Sequence, residues 1–118
     1  MKLLIVDDSN IMRKAIGKYL SEFNLEIVGN AENGEKAVEL FKEHLPDLVT
    51  LDITMPRMDG LTCLSKMMEI KPDARVLIIS ALKDNATAIQ AVKLGARGFL
   101  SKPFNEKTLQ EEITACLK

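Results

Sequence analysis

Five short apolar runs alternate along this chain with longer stretches of helical period, and few folds accept that pattern. The runs are Leu3-Leu4-Ile5-Val6, Leu25 to Gly29, Leu48-Val49-Thr50-Leu51, Val76-Leu77-Ile78-Ile79 and Gly98-Phe99-Leu100-Ser101. They are short, mostly leucine and β-branched, and lack strict polar alternation. Such strands suit a sheet covered on both faces, because a sheet with one wet face needs every second residue polar. Strands and helices in regular alternation imply a parallel sheet with right-handed helical crossovers. The expected class is α/β, a five-stranded parallel sheet flanked by five helices.

The intervening stretches carry their own punctuation. Ser9 or Asn10 can cap a first helix with the apolar stripe Ile11, Met12, Ala15, Ile16, Tyr19, Leu20 and Phe23. Asn30 to Asn33 leads into a second helix carrying Ala37, Val38, Leu40 and Phe41, which Pro46 stops. The loop Met55 to Gly60 feeds a third with Leu61, Leu64, Met67 and Met68, ended by Pro72. Asp84 or Asn85 caps a fourth, with Ile89, Val92 and Leu94 as its stripe and Gly95 as its stop. Asn105 opens a last helix with Leu109, Ile113, Cys116 and Leu117.

Composition removes several classes of function. With 118 residues the chain is expected to form one domain, 1–118, large enough to bury a core without staples. Sixteen basic against seventeen acidic residues leave no electrostatic footprint for nucleic acid or an anionic membrane. The apolar runs are far too short to span a bilayer or to form a signal peptide. Cys63 and Cys116 lie in helical stretches without metal spacing, and read as buried or half-buried thiols of a cytoplasmic protein. His44, the only histidine, is expected at the surface and not as a phosphodonor.

Four of the five runs end on a reactive polar residue. The first reaches Asp7-Asp8, the third Asp52, the fourth Ser80 and the fifth Lys102-Pro103. In an open parallel sheet, ligands collect outside the carboxyl ends of the strands. One edge would then hold three carboxylates, a hydroxyl and an ammonium. Adjacent carboxylates repel unless a cation sits between them, and Mg²⁺ prefers one or two carboxylates, waters and a phosphate. Taken singly, each residue has a bland reading: Asp8 a helix cap, Asp52 a turn former, Ser80 a helix-start serine, Lys102 a solvated cation. Together they suit phosphoryl transfer, with Asp52 as nucleophile, Lys102 neutralising one phosphoryl oxygen and Ser80 donating to another.

The motifs then become specific. Val6-Asp7-Asp8-Ser9, Leu51-Asp52-Ile53-Thr54-Met55-Pro56-Arg57-Met58-Asp59-Gly60, Ile79-Ser80-Ala81 and Phe99-Leu100-Ser101-Lys102-Pro103-Phe104 together resemble the motif set of two-component receiver domains. Single-domain chemotaxis response regulators are the nearest in kind. The resemblance runs from Lys2 to the final helix, and it implies a flavodoxin-like sheet of order 2-1-3-4-5. It also implies Asp52 as phosphoacceptor, with Asp7, Asp8, Asp52 and the backbone carbonyl of Thr54 around Mg²⁺. Ser80 and Lys102 would complete the site, the Lys102-Pro103 bond would be cis, and Phe99 would be the switch aromatic. A histidine kinase would supply the phosphoryl group to a monomer. A downstream effector protein would read the face spanning residues 85–117, where Lys93, Arg97, Glu106, Lys107, Gln110 and Glu111 form a mixed-charge surface. By the same resemblance, Thr54 and Leu82 would occupy positions that tune the lifetime of the phosphorylated state.

Such a protein is a switch and not a turnover enzyme, although Asp52 would support its own phosphorylation and dephosphorylation. No output domain is expected within the chain; the alternative is the receiver portion of a longer regulator, a transcription factor or methylesterase. Aspartate-nucleophile phosphatases fit less well, because they space their two aspartates in alternation whereas Asp7 and Asp8 are adjacent. A flavin carrier would need donors, not carboxylates, after its first strand. No Gly-x-x-x-x-Gly-Lys-Ser/Thr loop is present for a nucleotide.

Overall fold

The computed structural model describes residues 1–53, 59–81 and 85–118. Ten elements alternate: β1 (Lys2–Val6), α1 (Asn10–Tyr19), β2 (Glu26–Ala31), α2 (Gly34–His44), β3 (Leu48–Asp52), α3 (Gly60–Ile70), β4 (Arg75–Ser80), α4 (Asn85–Lys93), β5 (Gly98–Ser101) and α5 (Glu106–Leu117). The strands form one sheet of order β2-β1-β3-β4-β5, every pair parallel. The chain order reverses beside β1, so the ends of β1 and β3 flank the crevice where parallel sheets place their ligands.

Side chains alternate across the sheet and fill two cores. Leu4, Val6, Val49, Leu51, Val76 and Ile78 pack with Phe41 of α2, Leu64 and Met67 of α3 and Ala91 of α4. On the other face Leu3, Ile5, Leu48, Leu77, Ile79 and Leu100 pack with Ile16 of α1 and with Leu109 and Ile113 of α5. The central strand β3 is buried along its whole length, as its continuous apolar run requires.

Caps fall where side-chain chemistry puts them. Ser9, Asn33, Asp59 and Asn105 each accept a hydrogen bond from the backbone N–H three residues on, satisfying one orphan donor per helix. Leu45 takes the left-handed conformation at φ 47° after α2, and Pro46 follows. Gly95 ends the α4 turn at φ +115°, a conformation that favours glycine.

Several expectations need correction. β2 spans Glu26–Ala31, one residue later than Leu25 at its start and two beyond Gly29. It is an edge strand, and its pairing with β1 shifts register between Leu3 and Leu4. Ile11 is 81% exposed, so it lies outside the α1 stripe, and Phe23 lies beyond the end of that helix. In α4 the stripe is out of phase: Ala91 is buried, while Ile89 and Val92 are exposed. His44 is half-buried on the last turn of α2, near the Glu43 carboxylate. Asp84, one of the two cap candidates, lies outside the described residues, and Asn85 is the first residue of α4.

Candidate functional site

Strand pairing alone brings the acidic residues together. Val6 pairs with Leu51, so the residues that follow, Asp7 and Asp52, end neighbouring strands side by side. Asp7 donates its backbone N–H to Ala31 at 3.0 Å, which extends the ladder to the β2 side. Its carboxylate accepts from the Ser9 N–H at 2.9 Å. Asp7 and Asp52 are almost fully buried, whereas Asp8 is exposed. One carboxylate oxygen from each of Asp7, Asp8 and Asp52 lies within 4.8 Å of the others.

Lys102 reaches this cluster from the end of β5. Its backbone N–H donates to the Ser80 carbonyl at 2.8 Å, and the Lys102-Pro103 peptide is cis. Its ammonium lies 2.9 Å from Asp7 Oδ2 and 3.5 Å from Asp52 Oδ2. Burial, the largest single effect, pulls the ammonium pKa down. The Asp7 hydrogen bond and the charges of Asp52 and Asp7 together outweigh it and hold the pKa above its ordinary value of 10.5. The ammonium therefore stays charged.

Three carboxylates against one ammonium leave a formal excess of two negative charges, which a divalent cation would neutralise. Oxygen ligands around octahedral Mg²⁺ stand roughly 3 Å apart when adjacent and roughly 4 Å apart when opposite. The three carboxylate oxygens, all within 4.8 Å of one another, can close around such an ion by side-chain rotation. An all-oxygen set, partly buried and open on the Asp8 side, also leaves room for the waters that Mg²⁺ keeps. The residues present fit the ion.

The rest of the expected set is distributed around this cluster. Ser80 is fully buried at the end of β4, paired with Ser101. Phe99 is half-buried on β5, opposite Ile78, and packs against the core on the α4 side. Thr54, expected to offer its carbonyl, lies outside the described residues, as does Leu82. Both thiols are buried as expected; burial, with the Asp59 charge, pushes Cys63 up to about 12.

Three features escaped the sequence reading. Gly60 donates its N–H to the Ile53 carbonyl at 2.8 Å, and a Cβ there would stand 2.4 Å from Ile53 Cα and 2.7 Å from the Asp52 carbonyl oxygen. That close approach seats the start of α3 directly against the end of β3. Arg13 donates to the Asp7 carbonyl and to Asn10 Oδ1. Its only sequence signal was a cation five residues after a paired aspartate. Ile89 and Val92 form an exposed apolar surface with Ala88 on α4, where the sequence suggested core.

Comparison with known proteins agrees with this geometry. The profile of the response regulator receiver domain matches residues 3–114. The chemotaxis protein CheY of Bacillus subtilis (strain 168) is 45% identical over 116 residues, covering 98% of this chain and 97% of that protein. A crystal structure of the CheX-CheY-BeF3-Mg+2 complex from Borrelia burgdorferi superposes with a TM-score of 0.96 at 38% identity, covering 100% of this chain and 90% of that one. A receiver segment also matches in a longer protein. The protein-glutamate methylesterase/protein-glutamine glutaminase of Archaeoglobus fulgidus is 43% identical over 104 residues, which make up 87% of this chain and 30% of that protein.

The chain belongs to the response regulator receiver domain family. Within it the chain is of the CheY-like kind, that of single-domain chemotaxis regulators, and related receivers also occur as parts of longer regulators.

Proposed function

We propose that this protein is a cytoplasmic chemotaxis switch that takes a phosphoryl group from a histidine kinase onto Asp52 and passes the signal on by protein contact. The observation that carries the reading is the strand-end cluster, in which two buried aspartates share one ammonium and a third, exposed aspartate completes a cation-sized set. Asp52 Oδ attacks phosphorus. The new O–P bond forms as the donor's N–P bond breaks, and the departing imidazole keeps the electron pair. Lys102 moves from the carboxylates to a phosphoryl oxygen, and the Ser80 hydroxyl donates to another. Mg²⁺, held by Asp7, Asp8 and Asp52 with the Thr54 carbonyl, would neutralise charge on the group in transfer. Attack by water on the same phosphorus reverses the modification, so the protein limits the lifetime of its own signal.

Output follows from which strands carry the moving groups. Ser80 and Lys102 end β4 and β5, so drawing both toward a phosphoryl group shifts the helices that follow. Phe99 lies on β5, only half-buried, against the core that includes Ala91 of α4, and would turn inward in the switch. The face of α4, β5 and α5 is the proposed effector surface, with Ile89 and Val92 as an apolar centre inside its mixed charges. A relative in complex with CheX and Mg²⁺ supports both a protein partner and the cation. An effector that binds the phosphorylated form more tightly must promote phosphorylation in return. Amide chemical shifts recorded with Mg²⁺, with and without beryllofluoride as phosphoryl mimic, test the switch. Changes should reach Phe99, α4 and α5; changes confined to the strand-end loops would refute it.

A further inference from the structure

Asp8 presents a problem that the Mg²⁺ reading leaves open. Its carboxylate joins the cation-sized cluster, yet it is exposed, and among the described residues no hydrogen bond holds its side chain. Asp7, by contrast, is fixed through Ser9 and Lys102. The aim of Asp8 therefore depends on its backbone, and first on the Asp7–Asp8 peptide. The carbonyl of that peptide accepts from Arg13 Nη1, while Arg13 Nη2 reaches Asn10 Oδ1 at 3.3 Å. Arg13 is itself secured on α1, donating its own N–H to the Ser9 carbonyl at 3.0 Å. A rigid fork of donors thus ties a peptide plane to the first turn of a helix, a geometry that a single lysine ammonium cannot reproduce across two acceptors.

We infer that Arg13 is a positioning residue for the cation: by pinning the Asp7 carbonyl it sets the Asp7–Asp8 peptide and aims the Asp8 carboxylate into the cluster. This rests on the reading of Asp7, Asp8 and Asp52 as the Mg²⁺ site. The sign of its effect separates positioning from charge. A guanidinium acting only as a nearby positive charge repels Mg²⁺, so deleting it would tighten binding. A guanidinium that aims a ligand does the opposite. Loss of a group that orients a metal ligand costs about tenfold or more in metal affinity.

The test is calorimetric titration of Mg²⁺ into the full chain, using the parent, Arg13→Ala, Arg13→Lys, Asp8→Asn and the Asp8→Asn/Arg13→Ala double variant. Thermal midpoints in EDTA are measured alongside. Binding should weaken about tenfold in Arg13→Ala and by less in Arg13→Lys. In the Asp8→Asn background the Arg13→Ala change should add no further loss, because its effect runs through Asp8. Unchanged or tighter binding in Arg13→Ala, or full additivity with Asp8→Asn, overturns the inference. Should Arg13→Ala fail to fold, Arg13→Lys decides the same question: weaker binding supports the tether, unchanged or tighter binding refutes it. A parent protein that takes up no Mg²⁺ would sink the metal reading itself, a separate result.

Discussion

Lys102 donates to Asp7 at 2.9 Å and faces Asp52 at 3.5 Å, so a single ammonium offsets two buried carboxylates. It also stands where a cation would compete for the same oxygens. Lys102→Ala should cost about 2 kcal/mol in urea denaturation without metal, the range for a hydrogen bond to a charged group. The same variant should bind Mg²⁺ more tightly. Its pH dependence has a defined sign. The folded pKa lies above the ordinary 10.5, so the stabilisation is complete below 10.5 and is lost as pH rises through the higher folded value. The stability gap between parent and variant should therefore hold constant around neutrality and close only in strong alkali; a gap closing near neutral pH would contradict this. At this scale the sequence disclosed that Asp7, Asp8, Asp52 and Lys102 meet, because their strand ends converge. It did not disclose that Lys102 rests nearer Asp7 than Asp52, or that Arg13 grips a backbone carbonyl. Those contacts depend on rotamers, and in the first case on residues 95 apart in the chain.

Two helical glycines separate packing from propensity at the scale of elements. Gly60 opens α3 with no room for a Cβ, since the obstructing atoms are backbone and cannot swing away. Gly17 lies inside α1, where a Cβ would meet only Ile27 Cδ1 at 3.6 Å and Ile5 Cδ1 at 3.9 Å. Gly60→Ala should destabilise by about 2 kcal/mol through overpacking, while Gly17→Ala should stabilise by about 0.5–1 kcal/mol through helix propensity. Thermal melts of both variants check the opposite signs; a shift in the same direction would show that the clearance around these backbones is misjudged. The elements themselves were largely legible. Caps, prolines and glycines marked the helix ends, and apolar runs marked the strands. The phase of the helical stripes was less so. In α4 the sheet-facing position is the small residue Ala91, and the large residues Ile89 and Val92 point outward. Periodicity ranks side chains by size and polarity, and a helix seated on a small residue defeats that ranking. The edge strand β2 was misplaced for a related reason, since half its side chains face water and the apolar run is broken.

At the scale of the whole molecule, four strand ends gather the chemistry and two cores hold the strands in register. Both follow from a sheet buried on its two faces. Part of the site is built into that frame: Asp7 and Asp52 are buried extensions of β1 and β3, and Ser80 is a buried end of β4. In the proposed switch that linkage would turn a local charge change into a global signal, because groups pulled toward Asp52 would carry their strands' following helices with them. The proposed switch stands or falls on Asp52 accepting the phosphoryl group, and on no other residue doing so. The decisive experiment incubates the parent and Asp52→Asn with a small phosphodonor and Mg²⁺, records intact mass and traps the acyl phosphate with borohydride. The parent should gain one phosphate, gain none when Mg²⁺ is chelated beforehand, and show the trapped group at Asp52, while Asp52→Asn stays unlabelled. Equal labelling of the two proteins, or a trapped group at another residue, would contradict the proposed switch.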